Sequence, residues 1–349
     1  MAGTFDRAKQ LAAGPMDGRG LDRGQALELL SLAEQDLQAV LCHAEAIRRR
    51  HRGDRVRLCG IVAVKVGRCP EDCAWCSQSA RHDARIRPHG LLADDEIRAR
   101  ADEAARNGAG SFGLVASGAR PTPDELDRLC AVLGQLDRHG RVSPCASLGM
   151  LDDAAARRLA AAWCRRYNHN LETSRAHFAN VVTTHTYEQR LATARTVKAA
   201  GMELCCGGLF GIGERPEDRV DLALEVRGLD ADTVPLNFLN PIPGTQLEAA
   251  PPLSPRQCLA VIAMMRFVLP ARCIKVAGGR ETALRDLQSW MFAAGADGCI
   301  VGNYLTTTGR AAEDDLRMIA DLALRIDTPS GGRRDAAGAM PQVSENHVH

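Results

Sequence analysis

Apolar positions along the chain switch repeatedly between two periods. Short runs rich in β-branched and small residues read as strands: RLCGIVAVKVG, GSFGLVASG, RVSPCASLG, RRYNHNLET, MELCCGGLFGIG, ADTVPLNFLNP, RCIKVAGGR and DGCIVGNYL. Between them lie stretches with apolar residues three and four apart, such as DDEIRARADEAARNG, PDELDRLCAVLGQLDRHG, YEQRLATARTVKAAG and SPRQCLAVIAMMRFVL, which predict amphipathic helices. Each helix gives way, near a glycine or a charged residue, to the next strand. Repeated βαβ units imply parallel strands joined by right-handed crossovers. Eight such runs predict an α/β fold, a TIM-type (β/α)8 barrel with N-terminal helices. A doubly wound open sheet is the alternative, because periodicity does not show closure.

Three parts follow. Residues 1–50 are expected to form an N-terminal helical extension, carried mainly by GQALELLSLAEQDLQAVLCHAEAIRRRHRG. Residues 51–327 form the barrel. Residues 328–349, PSGGRRDAAGAMPQVSENHVH with the Thr before it, have little to bury and are expected to be disordered. A hydrophobic fraction of 45% supplies a sizeable core. A net charge of +1 leaves no global nucleic-acid footprint. No apolar run reaches the ~18 residues that would signal a membrane span. The first residues lack the apolar stretch of a signal peptide, so a cytoplasmic location is expected.

Polar and sulfur residues gather where the strand runs end: Ser117 and Gly118, residues 168–172, Gly207 and Gly208, Asn237 and Asn240, residues 278–280 and Asn303. The C-terminal strand ends of a parallel barrel form one face, and active sites sit there. Any one Asn or Gly here could be loop chemistry; their recurrence points to a shared site.

Thirteen cysteines are many. The odd count, the length and the missing leader argue against a disulfide framework and for metal or redox chemistry. Cys42, Cys130, Cys164, Cys258, Cys273 and Cys299 stand alone and are read as small buried hydrophobes. CPEDCAWC is different, with Cys69, Cys73 and Cys76 spaced C-x3-C-x2-C. Zinc ribbons pair C-x2-C knuckles with a second pair downstream, which is absent here. A [4Fe–4S] cluster ordinarily takes four thiolates, so three leave one iron open to a small molecule.

That spacing, with Trp75 before the last cysteine and a strand before the loop, resembles the signature of the radical S-adenosylmethionine (SAM) superfamily. The resemblance implies that the open iron chelates SAM and that reductive cleavage yields a 5′-deoxyadenosyl radical. VGRCPEDCAWCSQSARH, YNHNLETS, TTHTYEQRLATARTVKAAGMELCCGG, GIGERPEDR, VPLNFLNPIPGT and VAGGRE narrow the likeness to the biotin synthase family, over roughly residues 25–325. The implied reaction inserts sulfur into dethiobiotin. By position, Cys69, Cys73 and Cys76 match the SAM-cluster ligands. Trp75, Ala116, Glu172, Arg190 and Leu209 match SAM contacts, Leu209 against the adenine and Glu172 where the family carries an Asp. Asn170 and Asn237 match dethiobiotin contacts, with strand-end capping as their plainer reading. The resemblance also implies an electron donor such as flavodoxin or ferredoxin, and a homodimer.

The family further carries an auxiliary cluster that supplies the sulfur, usually [2Fe–2S], held by three cysteines and an arginine. Cys145 and Cys205 match two of those cysteines. Gly113 stands at the third position and Lys275 at the arginine. Cys59 lies on the first strand, on one face with Ile61, Ala63 and Lys65. If that face points inward, Cys59 joins Cys145 and Cys205 in a rearranged site. The pattern resembles an anaerobe-type branch, in which a larger cluster such as [4Fe–5S] carries the sacrificial sulfide. Cys206 should point the opposite way. Lys275 ligates only if burial lowers its pKa, and otherwise offsets cluster charge. Two other readings remain: a related radical SAM enzyme, such as a hydrogenase-cofactor maturase or a methylornithine-forming mutase, and a cluster carrier without SAM cleavage.

Overall fold

The computed structural model describes residues 3–305 and 309–327. Residues 328–349, expected to be disordered, lie outside the described residues.

Three helices precede the barrel: α1 (Thr4–Met16), α2 (Arg23–Gln35) and α3 (Leu37–Arg52). The sequence pattern reads as one helical stretch across α2 and α3, but the chain breaks at Asp36. Its backbone N–H ends α2 on the carbonyl of Leu32. Its carboxylate accepts from Ala39 N–H at 3.1 Å and starts α3. The inner faces of these helices share one apolar core with the helix Pro255–Val268 of the barrel wall.

The strands are β1 (Arg55–Lys65), β2 (Ser111–Ala116), β3 (Ser143–Ser147), β4 (Arg166–Asn168), β5 (Glu203–Cys205), β6 (Gly208–Phe210), β7 (Thr233–Phe238), β8 (Cys273–Val276), β9 (Gly298–Ile300) and β10 (Arg325–Ile326). All the ladders are parallel, and β1 pairs with both β2 and β9. That double pairing closes the barrel and removes the open-sheet alternative. β5 and β6 are two pieces of the fifth barrel strand, and β10 adds to the lower edge of β1.

Period two decides what faces where. On β1, Val56, Leu58, Val62 and Val64 pack outward under the helices, while Cys59 and Ile61 line the lumen. The helices start where their N-terminal N–H groups are met. Thr122 with Glu125, Thr186 with Gln189 and Ser254 with Gln257 each form a reciprocal capping box. No described helix is long and apolar enough to cross a membrane.

Candidate active site

After β1 the chain turns over the barrel mouth through Gly67 and Arg68, both left-handed (φ 80° and 56°). The turn brings Cys69, Cys73 and Cys76 to the wall of a cavity of about 220 Å3. The loop is held by its own backbone. Cys69 N–H donates to Gln78 O (3.0 Å), Ala80 N–H to Cys69 O (2.8 Å) and Cys76 N–H to Cys73 O (2.9 Å). Asp72 fastens it to the neighbouring segment, accepting from the N–H groups of Thr183 (3.0 Å) and Thr184 (3.2 Å) and from the Thr184 hydroxyl (2.9 Å). Against the cost of burial, these bonds hold the Asp72 carboxyl far below the usual carboxylate range.

Burial pushes the Cys73 thiol up to about 12 and raises that of Cys76. Thiolates persist here only beside strong positive charge, such as a metal centre. Among the described residues, no three His, Cys, Asp or Glu side chains converge on a point that one metal ion could occupy.

A chain of bonds runs from the loop across the mouth. The Glu71 carboxylate accepts from His185 Nδ1 (2.6 Å), and Arg190 Nε donates to His185 Nε2 (3.1 Å). A guanidinium can only donate, so Nε2 must accept and Nδ1 must carry the proton. Burial, then the charge of Arg190, lowers the His185 pKa, so the Glu71 contact is a hydrogen bond to a neutral ring. Arg190 Nη1 also donates to Asn170 O (2.8 Å) and lies 3.8 Å from the Glu172 carboxylate.

Glu172 sits at φ 70°, a strained position for a non-glycine residue. The paired glycines of the fifth strand make room for it. A Cβ on Gly208 would stand 2.5 Å from Glu172 O, and one on Gly207 would stand 2.0 Å from Pro235 O. The same crowding interrupts the strand between β5 and β6. Burial raises the Glu172 carboxyl pKa in spite of Arg190. Asn170 and Glu172 line the mouth cavity, a neighbouring cavity of about 280 Å3, and a chamber of about 260 Å3 deeper in the lumen.

That chamber brings together Cys59, Cys145 and Cys205 from β1, β3 and β5. Gly113 lines it too, paired with both Ile61 and Cys145. A Cβ there would meet Ile61 at 3.4 Å, so a larger residue fits and the vacancy is not forced by packing. Cys59 pairs with Ser111, one inward-facing position lower than Gly113. Burial holds the Cys145 thiol up near 12. Burial also acts on Cys59, but Lys275, the Ser111 hydroxyl and Arg166 overcome it and lower its pKa.

Two cations complete the wall. Lys275 is buried, and its pKa is raised by the Cys205 and Cys59 thiols in spite of burial. Of the two roles open to Lys275, the raised pKa favours the ammonium that offsets charge over the neutral amine that would ligate a metal. Arg166 donates from Nε to Glu203 at 2.8 Å and faces the same chamber. An uncompensated buried ammonium costs several kcal/mol. Three thiols ringed by the buried Lys275 and the part-buried Arg166 therefore suit an anionic group such as a thiolate-held cluster.

The other expected residues fall as follows. Trp75 and Ala116 line the mouth cavity. Leu209 lines the neighbouring cavity with Trp75, Asn170 and Asn237, while its N–H donates to Glu172 O at 2.7 Å. Asn237 accepts from Gly278 N–H (3.0 Å) and donates to Gly208 O (3.3 Å), so it caps strand ends as well as lining a cavity. Cys206 joins the core outside the lumen. Cys164, Cys258, Cys273 and Cys299 are buried and Cys130 partly so, but Cys42 is exposed, on the outer side of α3, and is no core residue. Glu71, His185 and Arg166 were not singled out by the sequence. For Arg166 a signal existed: it shares strand parity with Asn168 and Asn170.

Comparisons with known proteins bear on the whole arrangement. The radical SAM superfamily matches residues 64–226, and the biotin and thiamin synthesis associated domain matches residues 235–325. The chain is 48% identical over 324 residues to the biotin synthase of Geobacter sulfurreducens, covering 93% of this chain and 98% of that protein. It is 44% identical over 324 residues to the biotin synthase of Carboxydothermus hydrogenoformans, covering 92% and 100%. Among solved structures, a methylornithine synthase superposes with a TM-score of 0.78 at 19% identity, covering 91% of this chain and 97% of that one. A maturase of the [FeFe]-hydrogenase gives 0.80 at 14%, covering 94% and 77%. At such identities these two likenesses speak for the barrel alone.

Proposed function

The chain belongs to the biotin synthase family of radical SAM enzymes, and from that premise we propose how its residues divide the work of converting dethiobiotin to biotin. Cys69, Cys73 and Cys76 hold the [4Fe–4S] cluster. Trp75, Ala116, Glu172, Arg190 and Leu209 hold SAM. Bound there, the two supply a carbon-centred radical that removes hydrogen from unactivated C–H bonds. Arg190 is aimed by its bonds to His185 and Asn170 and presents its fork to the SAM carboxylate. Glu172 accepts from ribose hydroxyls. Asn170 and Asn237 offer both donors and acceptors to the cyclic urea of dethiobiotin.

Cys59, Cys145 and Cys205 hold the auxiliary cluster, and Lys275 and Arg166 offset its charge. One observation carries the reading: Asn170 and Glu172 form the wall common to the mouth cavity and the thiol chamber. A substrate held at that wall faces the radical source on one side and the sulfur source on the other. The one electron per cleavage comes from a donor such as flavodoxin or ferredoxin, in a reducing cytoplasm, and the family likeness favours a homodimer. Reconstituted anaerobically and reduced, the protein should give biotin from dethiobiotin and SAM in a single turnover. SAM cleavage without biotin would overturn the sulfur-insertion reading in favour of a related radical SAM reaction. An intact cluster without SAM cleavage would favour a carrier.

A further inference from the structure

The lumen is hollow below the thiol chamber as well as above it. Bulky branched side chains usually fill the lowest layer of such a barrel. Here the lowest inward positions include Ser111, Ser143, Thr233 and Cys273, which enclose a cavity of about 390 Å3 at the N-terminal ends of the strands. Cys59, Arg166 and Lys275 line both this floor cavity and the chamber above. The partition between the two is thus one candidate cluster ligand flanked by two cations. Cys59 sits one inward position below the Gly113–Cys145 row, ~6.6 Å further down the strand at the usual rise.

The floor cavity is built for a small anion. Arg55 and Arg57 stand at its rim, 3.4 and 3.1 Å from Asp327, and Arg166 is paired with Glu203. Four cations face two carboxylates among the described lining residues, an excess of two positive charges. Thr233 adds a second kind of observation. Its side chain lines the cavity, and its hydroxyl is buried with no hydrogen-bond partner among the protein atoms, a polar group left to be satisfied.

We propose that the floor cavity binds hydrosulfide and admits it to the thiol chamber from below. The inference rests on the reading of that chamber as the auxiliary-cluster site, from which each turnover removes sulfur. During turnover SAM and dethiobiotin occupy the upper cavities, and the floor is the approach they leave free. Cys59, Arg166 and Lys275 are the side chains that hydrosulfide must pass, and the excess positive charge draws it toward Cys59.

The test uses the holoenzyme after one turnover, supplied with isotopically labelled hydrosulfide and ferrous iron. Label retained per chain is followed with time, and the visible absorption of the cluster alongside it. With SAM and dethiobiotin saturating, the wild type should still take up label. Arg55→Glu with Arg57→Glu reverses the rim charge at an exposed and a part-buried position. It should slow uptake by ~10-fold or more at low salt, an effect that fades as salt rises. First-turnover SAM cleavage should be unchanged, and Asp327→Asn, which removes the same ion pairs without reversing the rim charge, should not slow uptake. Thr233→Val should slow uptake by a smaller factor without lowering the melting temperature. Equal uptake rates in wild type, the charge-reversed variant and Thr233→Val, or wild-type uptake blocked by saturating SAM and dethiobiotin, would overturn the route. A wild type that loses no sulfide on turnover would overturn the chamber reading itself, a result distinguishable from either.

Discussion

The loop at residues 69–76 draws its three thiols from one short segment at the barrel mouth, whereas Cys59, Cys145 and Cys205 come from three strands and meet half-way down the lumen. The first group is shaped by loop backbone bonds and pinned from outside by Asp72. The second is shaped by strand register alone and balanced by the part-buried Arg166 and the buried Lys275. A site confined to one loop can be kept or lost as a unit. A site spread over strands can change one ligand at a time, because period two offers another inward position on the neighbouring strand. On the proposed ligand set, Gly113 and Cys59 are such an exchange.

The widest separation between the two sites is in what each loss removes. Cys73→Ala should abolish SAM cleavage while the chamber keeps its iron and sulfide. Cys145→Ala should do the reverse, leaving SAM cleavage within a few-fold of wild type and taking biotin formation to background. Cys59→Ala should lower chamber iron and sulfide as Cys145→Ala does. An unchanged count in Cys59→Ala beside a reduced one in Cys145→Ala removes Cys59 from the ligand set, and the proposed exchange with it.

A smaller effect separates the sites through residues that touch no cluster. Glu71 orients His185, and His185 orients Arg190. Glu71→Ala should weaken SAM binding by ~10-fold, the lower end of what outer-shell partners contribute, with chamber iron unaffected. Equal loss of iron from both sites, with SAM affinity retained, would show that the chain of bonds supports the fold instead of Arg190.

The two sites were also unequally legible in the sequence. The mouth was written in one short string, with Trp75 and a strand before it, so adjacency did the work. The chamber could be read only by adding strand parity to a barrel topology. Parity put Cys59 on one face with Ile61 and put Cys206 opposite Cys205; the Cys59 face turns inward and Cys206 outward. It was not applied to Arg166, because a charged residue opening a strand looks like a solvent contact. Glu71 and His185 escaped for a different reason. They lie more than a hundred residues apart in loops, and only the fold makes them neighbours. The barrel itself was legible from its alternating periods, but two breaks were not. Asp36 splits a continuous helical pattern because one carboxylate caps the next helix. Gly207 and Gly208 split a strand because Pro235 and Glu172 crowd the backbone.

The smallest effect separates the sites by acid. His169 and His185 line the mouth cavity, and no histidine lines the chamber among the described residues. Burial, then the charge of Arg190, lowers both histidine pKa values, that of His169 well below its ordinary value. His169 Nε2 also has no partner to receive a proton's hydrogen bond. In the unfolded chain each ring takes up a proton near pH ~6.5, and in the folded chain it does not. The unfolded state then binds more protons, so stability is full above that pH and falls as the pH drops through it, by up to ~1.4 kcal/mol per pH unit for His169. Asp72 acts in the same direction below about pH 5, while His43, lowered by burial, adds to the histidine effect and Glu172, raised by burial, opposes it, so the His169 share of the window from about pH 6.5 to 5 is read from His169→Gln. Melting of the cluster-free protein should shift down across that window, and His169→Gln should flatten the shift. Hydrogen exchange should show residues 69–79 loosening at a higher pH than β3. An unchanged slope in His169→Gln, or β3 opening first, would mean that the mouth and the chamber respond to acid as one unit.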